Sequence, residues 1–204
     1  MRLFILGATG GIGQHLLRIG LEHGHEISAF VRSPNKISQS SPSLKVVPGD
    51  VFNAAQLTQC LARHDCVLSA FGPTTIRSTT MRRDFGRTLA HCLRNSKVSR
   101  AQVVSAAFLF SETGVLGYVL TRTLFRQMVP DMAGMEKEIM QADMDWTIVR
   151  PPRLTNGPAT HAYRVADGRL PKDGTVISRA DVAEFMIAEA EHPRHTRQIV
   201  GVAR

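Results

Sequence analysis

Leu3-Phe-Ile-Leu-Gly-Ala-Thr-Gly-Gly-Ile-Gly13 decides how this chain folds. Four apolar residues run into Gly7, and Gly10 and Gly13 follow at three-residue spacing. Gln14-His-Leu-Leu-Arg-Ile19 then begins a helical pattern. A strand that turns directly into a helix needs this arrangement when its backbone must approach a pyrophosphate. Gly7 permits the tight turn, Gly10 leaves room for phosphates, and Gly13 lets the helix pack closely on the strand. The helix start adds free N–H groups and the positive end of a dipole. The flanking strand and helix supply the context that marks a dinucleotide site. Gly7, Thr9, Gly10, Gly11, Ile12 and Gly13 are thus the first candidate cofactor ligands.

Outward from this motif, strand and helix patterns alternate, as in a doubly wound parallel sheet of the Rossmann type. Strands are expected at Arg2–Leu6, Glu26–Val31, Leu44–Val47, Cys66–Phe71, Ala101–Ser105, Trp146–Val149, Tyr163–Ala166 and Gln198–Val202. Helices are expected from Gly11 or Ile12 to about His23, after Asn53, and from about Thr80 to Asn95. Two more should run over Gly114–Val129 and from Asp131 to about Ala142. A last helix should open at Ser178, with Asp181 in the capping-box position. On the Thr80–Asn95 helix, Phe85, Leu89, Cys92 and Leu93 form the inner face, and Arg82, Arg83, Arg87 and Arg94 read as a solvated basic surface. The Gly114–Val129 segment is apolar on most faces, which suits an interface or a cover over a cofactor.

The 204 residues suffice for one α/β domain and hardly for two. The apolar start is too short for a signal segment or a membrane span, so a cytoplasmic protein is expected. Cys60, Cys66 and Cys92 lack paired spacing and read as reduced thiols. The eight histidines show no metal-ligand spacing, so no metal site is expected; His161 falls near the loop that should meet a substrate. The net charge of +8 is scattered, without aromatic interleaving or a basic tail. That pattern argues for attraction of anionic small molecules and against nucleic acid.

The end of the second strand bears on cofactor choice. NAD-preferring sites carry an acidic residue there to accept from the ribose hydroxyls. This chain reads Ala29-Phe-Val-Arg-Ser-Pro-Asn-Lys36, with no carboxylate. Arg32, Ser33 and Lys36 offer donors and positive charge suited to a 2′-phosphate, so NADPH or NADP is expected before NAD.

Several further stretches resemble the atypical short-chain dehydrogenase/reductase superfamily, in its single-domain NAD(P)H-binding group. They are Gly7-Ala-Thr-Gly-Gly-Ile-Gly13, Val47-Pro-Gly-Asp50, Ser69-Ala-Phe-Gly72, Val104-Ser-Ala-Ala-Phe108, Asp145-Trp-Thr-Ile-Val-Arg-Pro-Pro152 and Val176-Ile-Ser-Arg-Ala-Asp-Val-Ala183. Within the group the chain is most similar to the biliverdin reductase B/flavin reductase branch, through Ala107-Phe-Leu, Pro151-Pro152 and Val176-Ile-Ser178. The resemblance implies adenine contacts at Asp50 and Val51, cofactor contacts at Ala70, Phe71 and Gly72, and a nicotinamide floor at Ser105 and Ala106. It also implies that Pro151 and the following loop approach nicotinamide and substrate, with a small substrate-loop region over about 151–180. Two departures stand out. The branch has a Ser before its Ala-Phe-Leu and a His after its double proline, where this chain has Ala106 and Arg153.

These features lead to an expected activity. Hydride would pass from NADPH to an aromatic or anionic acceptor (flavin such as FMN, tetrapyrrole or quinone-like), with alignment supplying most of the acceleration. Ser105 would orient the nicotinamide or an acceptor oxygen, and Arg153 would hold an acidic substituent. Tyr118 with Arg122 one helical turn later fits a degenerate Tyr-x-x-x-Lys pair, or simply an apolar helix. The alternative is a non-catalytic NAD(P)(H)-binding sensor that acts through a protein partner. Either form would be a monomer or a homodimer.

Overall fold

Leu3, Phe4, Ile5 and Leu6 are all fully buried, which requires cover on both faces of their strand. Alternate side chains supply two cores. Leu3 and Ile5 join one apolar cluster, while Phe4 joins the other with Leu6. The structure, a computed structural model, describes residues 1–72, 80–110, 126 and 128–204.

The strands are β1 (Arg2–Leu6), β2 (Glu26–Val31), β3 (Leu44–Pro48), β4 (Cys66–Ser69), β5 (Arg100–Val104), β6 (Asp145–Arg150), β7 (Arg153–Thr155), β8 (Arg164–Asp167), β9 (Val176–Ser178) and β10 (Gln198–Ala203). The described helices are α1 (Gly11–Glu22), α2 (Ala54–Leu61), α3 (Met81–Arg94), α4 (Met128–Met140) and α5 (Arg179–Glu191). Eight strands form one sheet in the order β3-β2-β1-β4-β5-β6-β10-β8, and β7 pairs with β9 in a separate two-stranded sheet. Only β8 runs antiparallel to its neighbour in the large sheet. The molecule is a single-domain α/β protein with a doubly wound sheet, as the alternation of patterns predicts.

One face of the sheet is covered by α1 and α5, whose Leu16, Leu17, Phe185 and Ile187 join Leu3 and Ile5. The other is covered by α2, α3 and α4, whose Leu57, Phe85, Leu89 and Ile139 meet Phe4 and Leu6. Met132, Met135 and Met144 also sink into this second cluster, so they serve packing. The three cysteines are free, and burial pushes the Cys66 thiol up to about 12.

Three expectations need correction. Arg82 is buried, not solvated. Its guanidinium lies 3.5 Å from Asp131, whose carboxylate also accepts from the N–H groups of Arg82 and Arg83 at 3.3 and 2.9 Å. Asp131 thus caps α3 from the neighbouring helix, where Thr80 makes no such cap. The helix expected from Asp131 begins instead at Met128, because Pro130 falls within the first turn, where no intrahelical N–H is needed. Residues 114–125 and 127 of the expected Gly114–Val129 helix lie outside the described residues. Finally, Arg153–Thr155 is a strand and not a loop, since Val176–Ser178 offers it a parallel partner.

Candidate functional site

The order of strands reverses between β1 and β4, and their carboxyl ends lie side by side there. Open α/β sheets bind ligands in this crevice. Gly7 turns out of β1 with φ +78°. A Cβ on Gly7 would lie 2.7 Å from the carbonyl carbon and oxygen of Ala70 and 2.8 Å from the Phe71 nitrogen. The glycine loop therefore rests directly on the backbone of Ala70 and Phe71. A Cβ on Gly13 would fall 2.1 Å from the Gly7 oxygen, so strand and helix close on each other as the motif requires.

The Gly10 N–H donates to the Gly7 carbonyl at 2.9 Å, and Gly10 caps α1 without a side chain. The first helical bond runs from Gln14 N–H to Gly10 O at 2.9 Å. The N–H groups of Gly11, Ile12 and Gly13 precede it and are left for a ligand. No acidic residue occupies this first turn, so nothing competes with a phosphate for the dipole. Thr9 is half-buried beside them, while Ile12 packs its side chain into the core.

Beside this loop, Arg32 and Lys36 stand exposed after β2, around a short 3-10 turn at Pro34–Lys36 whose Lys36 N–H donates to Ser33 O at 3.1 Å. Neither has an ionic partner among the described residues. After β3, the Gly49 N–H donates to Val31 O at 3.0 Å, which draws the next turn to the end of β2. In that turn Asp50 accepts the Phe52 N–H at 3.0 Å and Val51 is buried. Phe52 is exposed and meets Phe71 edge-on at 6.0 Å. Gly72, also exposed, follows the β4 end.

At the next strand end Ser105 is buried, and its N–H donates to Val149 O at 2.7 Å. Its Oγ has no hydrogen-bond partner among the described residues. A buried hydroxyl without a partner costs about 1–3 kcal/mol, so its place in the crevice points to a ligand atom. Ala107 N–H donates to Pro151 O at 2.9 Å, which ties the end of β5 to the turn after β6. Behind that turn, Arg150 and Glu136 form a two-pronged pair, with Nε to Oε1 at 2.9 Å and Nη2 to Oε2 at 2.5 Å. The Arg150 guanidinium also lies over the Phe110 ring, 4.6 Å from its centroid. Arg153 is exposed on β7. Tyr118 and Arg122 lie outside the described residues.

Sequence reading missed Arg179. It opens α5, yet its side chain reaches across to the glycine loop. A Cβ on Gly11 would lie 2.6 Å from Arg179 Cδ and 2.8 Å from its Nε. The guanidinium donates to Asn156 Oδ1 at 2.5 Å and has no carboxylate partner among the described residues. The residues that hold it are legible: Ser178 Oγ accepts the Asp181 N–H at 2.9 Å, the predicted N-cap. Asp181, however, does more than cap. Burial would raise its carboxyl, but hydrogen bonds from Thr160, Ser178 and His161 more than offset this and hold it below its ordinary value. His161 itself sits at the surface against Glu184.

Glycine loop, β4 end and paired β5 and β6 ends thus lie along one rim of the sheet, with Arg179 linking Asn156 back to Gly11. This is the rim at which Rossmann proteins bind a dinucleotide. The family model for NAD(P)H-binding proteins matches residues 7–193, and the chain belongs to that family. YwnB of Bacillus subtilis is 26% identical over 209 residues, covering 97% of this chain and 96% of YwnB. Two solved structures share the fold throughout. One is a Streptococcus pneumoniae protein described as a candidate NADH-flavin reductase, with TM-score 0.83, 23% identity and coverage of 100% and 99%. The other is ChuY of Escherichia coli O157:H7, described as an anaerobillin reductase, with TM-score 0.81, 20% identity and coverage of 100% and 97%. Among the described residues, no helix is long and apolar enough to cross a membrane.

Proposed function

We propose that the chain is an NADPH-dependent reductase whose acceptor is a conjugated, anionic or aromatic small molecule such as FMN, a tetrapyrrole or a quinone. The observation that carries this reading is the buried, unpartnered Ser105 hydroxyl on the same rim as the uncapped α1 start. When bound, the dinucleotide supplies a hydride. The protein's part is then to hold, align and shield.

The free N–H groups of Gly11, Ile12 and Gly13 take the diphosphate, with Arg179 as an added cation beside Gly11. Arg32, Ser33 and Lys36 take a 2′-phosphate, while Asp50 and Val51 border the adenine side. Ala70, Phe71 and Gly72 line the middle of the cofactor, and Pro151 borders the nicotinamide end. Ser105 donates to the nicotinamide amide or to an acceptor oxygen, and Arg153 attracts an acidic substituent without serving as a proton donor. The segment from about 151 to 180 is the acceptor-side loop region. The names of the pneumococcal protein and ChuY support a flavin or tetrapyrrole acceptor.

The test is NADPH oxidation by purified protein with excess FMN, with NADH in parallel, for wild type and Ser105→Ala. Turnover above the uncatalysed rate, faster with NADPH and lowered by Ser105→Ala, is expected. Tight NADPH binding without turnover on flavin, tetrapyrrole or quinone acceptors would replace the reductase by a cofactor-binding sensor.

A further inference from the structure

The opposite end of the α1 and α5 pair carries a different cluster. His23 ends α1, His25 precedes β2, and Gly24 between them takes φ +76°. Their rings stand 6.2 Å apart, centroid to centroid. Backbone bonds fix both residues: His23 N–H donates to Ile19 O at 2.9 Å and His25 N–H to Gly20 O at 3.0 Å. Glu191, the last residue of α5, reaches the same point. Its Oε1 lies 3.0 Å from His23 Nδ1 and 2.9 Å from His25 Nε2.

We propose that His23, His25 and Glu191 bind a divalent transition-metal ion of the zinc class. One ligand atom from each residue falls within 4.8 Å of the others. Tetrahedral metal–nitrogen and metal–oxygen bonds of about 2.0–2.2 Å set ligand atoms about 3.4 Å apart, so Glu191 Oε1 would need to retreat from each imidazole nitrogen by about half an ångström. His25 is 6% exposed, and its Nε2 points into the cluster without a hydrogen bond of acceptable alignment. A simple carboxylate–imidazole pair leaves that buried nitrogen poorly satisfied, whereas coordination uses its lone pair. Its other nitrogen, Nδ1, faces the Met1 amino nitrogen at 3.4 Å.

Two imidazoles and one carboxylate select zinc, cobalt or nickel over magnesium and calcium, which prefer oxygen alone. His23 is open to solvent at 45% of its side chain, so the ion has an entry path and room for water as a fourth ligand. The site is remote from the crevice, because it sits where β2 begins and the glycine loop sits where β1 ends. Its role is that of a staple. The same two helices that present Gly11 and Arg179 at their starts would be tied together at their ends.

The experiment is titration of the chelator-treated full chain with Co2+ and Zn2+ at pH about 8, since metal binding displaces protons from its ligands. Visible absorption and calorimetry are the readouts. One ion per chain is expected, with the intense ligand-field bands of a four-coordinate cobalt site and a higher Tm. His23→Ala and Glu191→Gln alter the two ligands outside the core, and circular dichroism would verify their folding. Each should weaken binding at least about tenfold, since even loss of an outer-shell partner of a metal ligand costs that much. Absence of saturable one-to-one binding to wild type would overturn the site. Binding left unchanged in both folded variants would overturn it too, by placing the ion elsewhere.

Discussion

Thr160 grips Asp181 twice: its N–H donates to one carboxylate oxygen at 2.7 Å and its hydroxyl to the other at 2.9 Å. His161 N–H adds a third bond at 3.1 Å, and Ser178 Oγ a fourth at 2.8 Å. A fully buried carboxylate thereby fixes the approach to β8 against the start of α5.

Asp181→Asn keeps the shape but turns an acceptor-only group partly into a donor. It should cost about 2–4 kcal/mol, since hydrogen bonds to a buried charge are lost together. Urea unfolding would measure this, and hydrogen exchange should accelerate at the Thr160 and His161 amides. The folded carboxyl titrates below its ordinary 3.8. Its contribution is therefore full above that pH and disappears as pH falls through the lower folded value. The difference between wild type and variant should persist at neutral pH and shrink only in strong acid.

Arg179→Ala should weaken NADPH binding about tenfold, as expected for loss of one charge-assisted contact to phosphate. Arg179→Lys should recover part of it, because a point charge replaces the planar fork. Gly11→Ala should mimic the loss in milder form by displacing the Arg179 stem. Titration of NADPH fluorescence checks all three. Equal binding by wild type and Arg179→Ala would remove the arginine from the cofactor site.

Replacing Arg32 and Lys36 together by alanine should raise KM for NADPH by about tenfold or more and leave KM for NADH within about twofold. Steady-state kinetics with both cofactors decide it. An equal effect on the two would mean that these cations serve something other than a 2′-phosphate.

Acid should weaken the fold through His64. Burial lowers its pKa from the ordinary 6.5, and its Nε2 lies 2.9 Å from Ser28 Oγ while its ring meets Phe4 edge-on. The unfolded chain then binds the proton more readily, so stability is full above 6.5 and falls as pH drops toward the folded value. The urea midpoint should decline across that window. His64→Gln should flatten the slope in part, the rest belonging to His15 and His25, which burial also lowers.

How much of this was legible in the sequence follows from what each residue's neighbours are. The β1 run, the glycine loop and the α1 start are local: each residue's role depends on others within about one turn of chain. The fold class came from repeating that local pattern. Arg82 was not legible, because its burial depends on Asp131, which joins it only when α3 and α4 pack together. The strand at Arg153–Thr155 is three residues long and exists because Val176–Ser178 lies beside it. Arg179 was visible only as part of a helix start; its reach to Gly11 appears once α5 packs on α1. His23 and His25 are two residues apart in sequence, but their carboxylate partner is Glu191 at the far end of the chain.

The two outer strands of the sheet bear on how the protein behaves in a crowded solution. β3 presents an exposed Lys45 and ends in Pro48, which has no N–H to offer an incoming strand. β8 is four residues long, runs against its neighbour, and exposes Arg164 and Asp167 at its ends. A strand from another molecule would meet exposed charge on either flank and a missing donor on one. The sheet is thus guarded against growth into larger aggregates, even though its interior strands are mostly apolar.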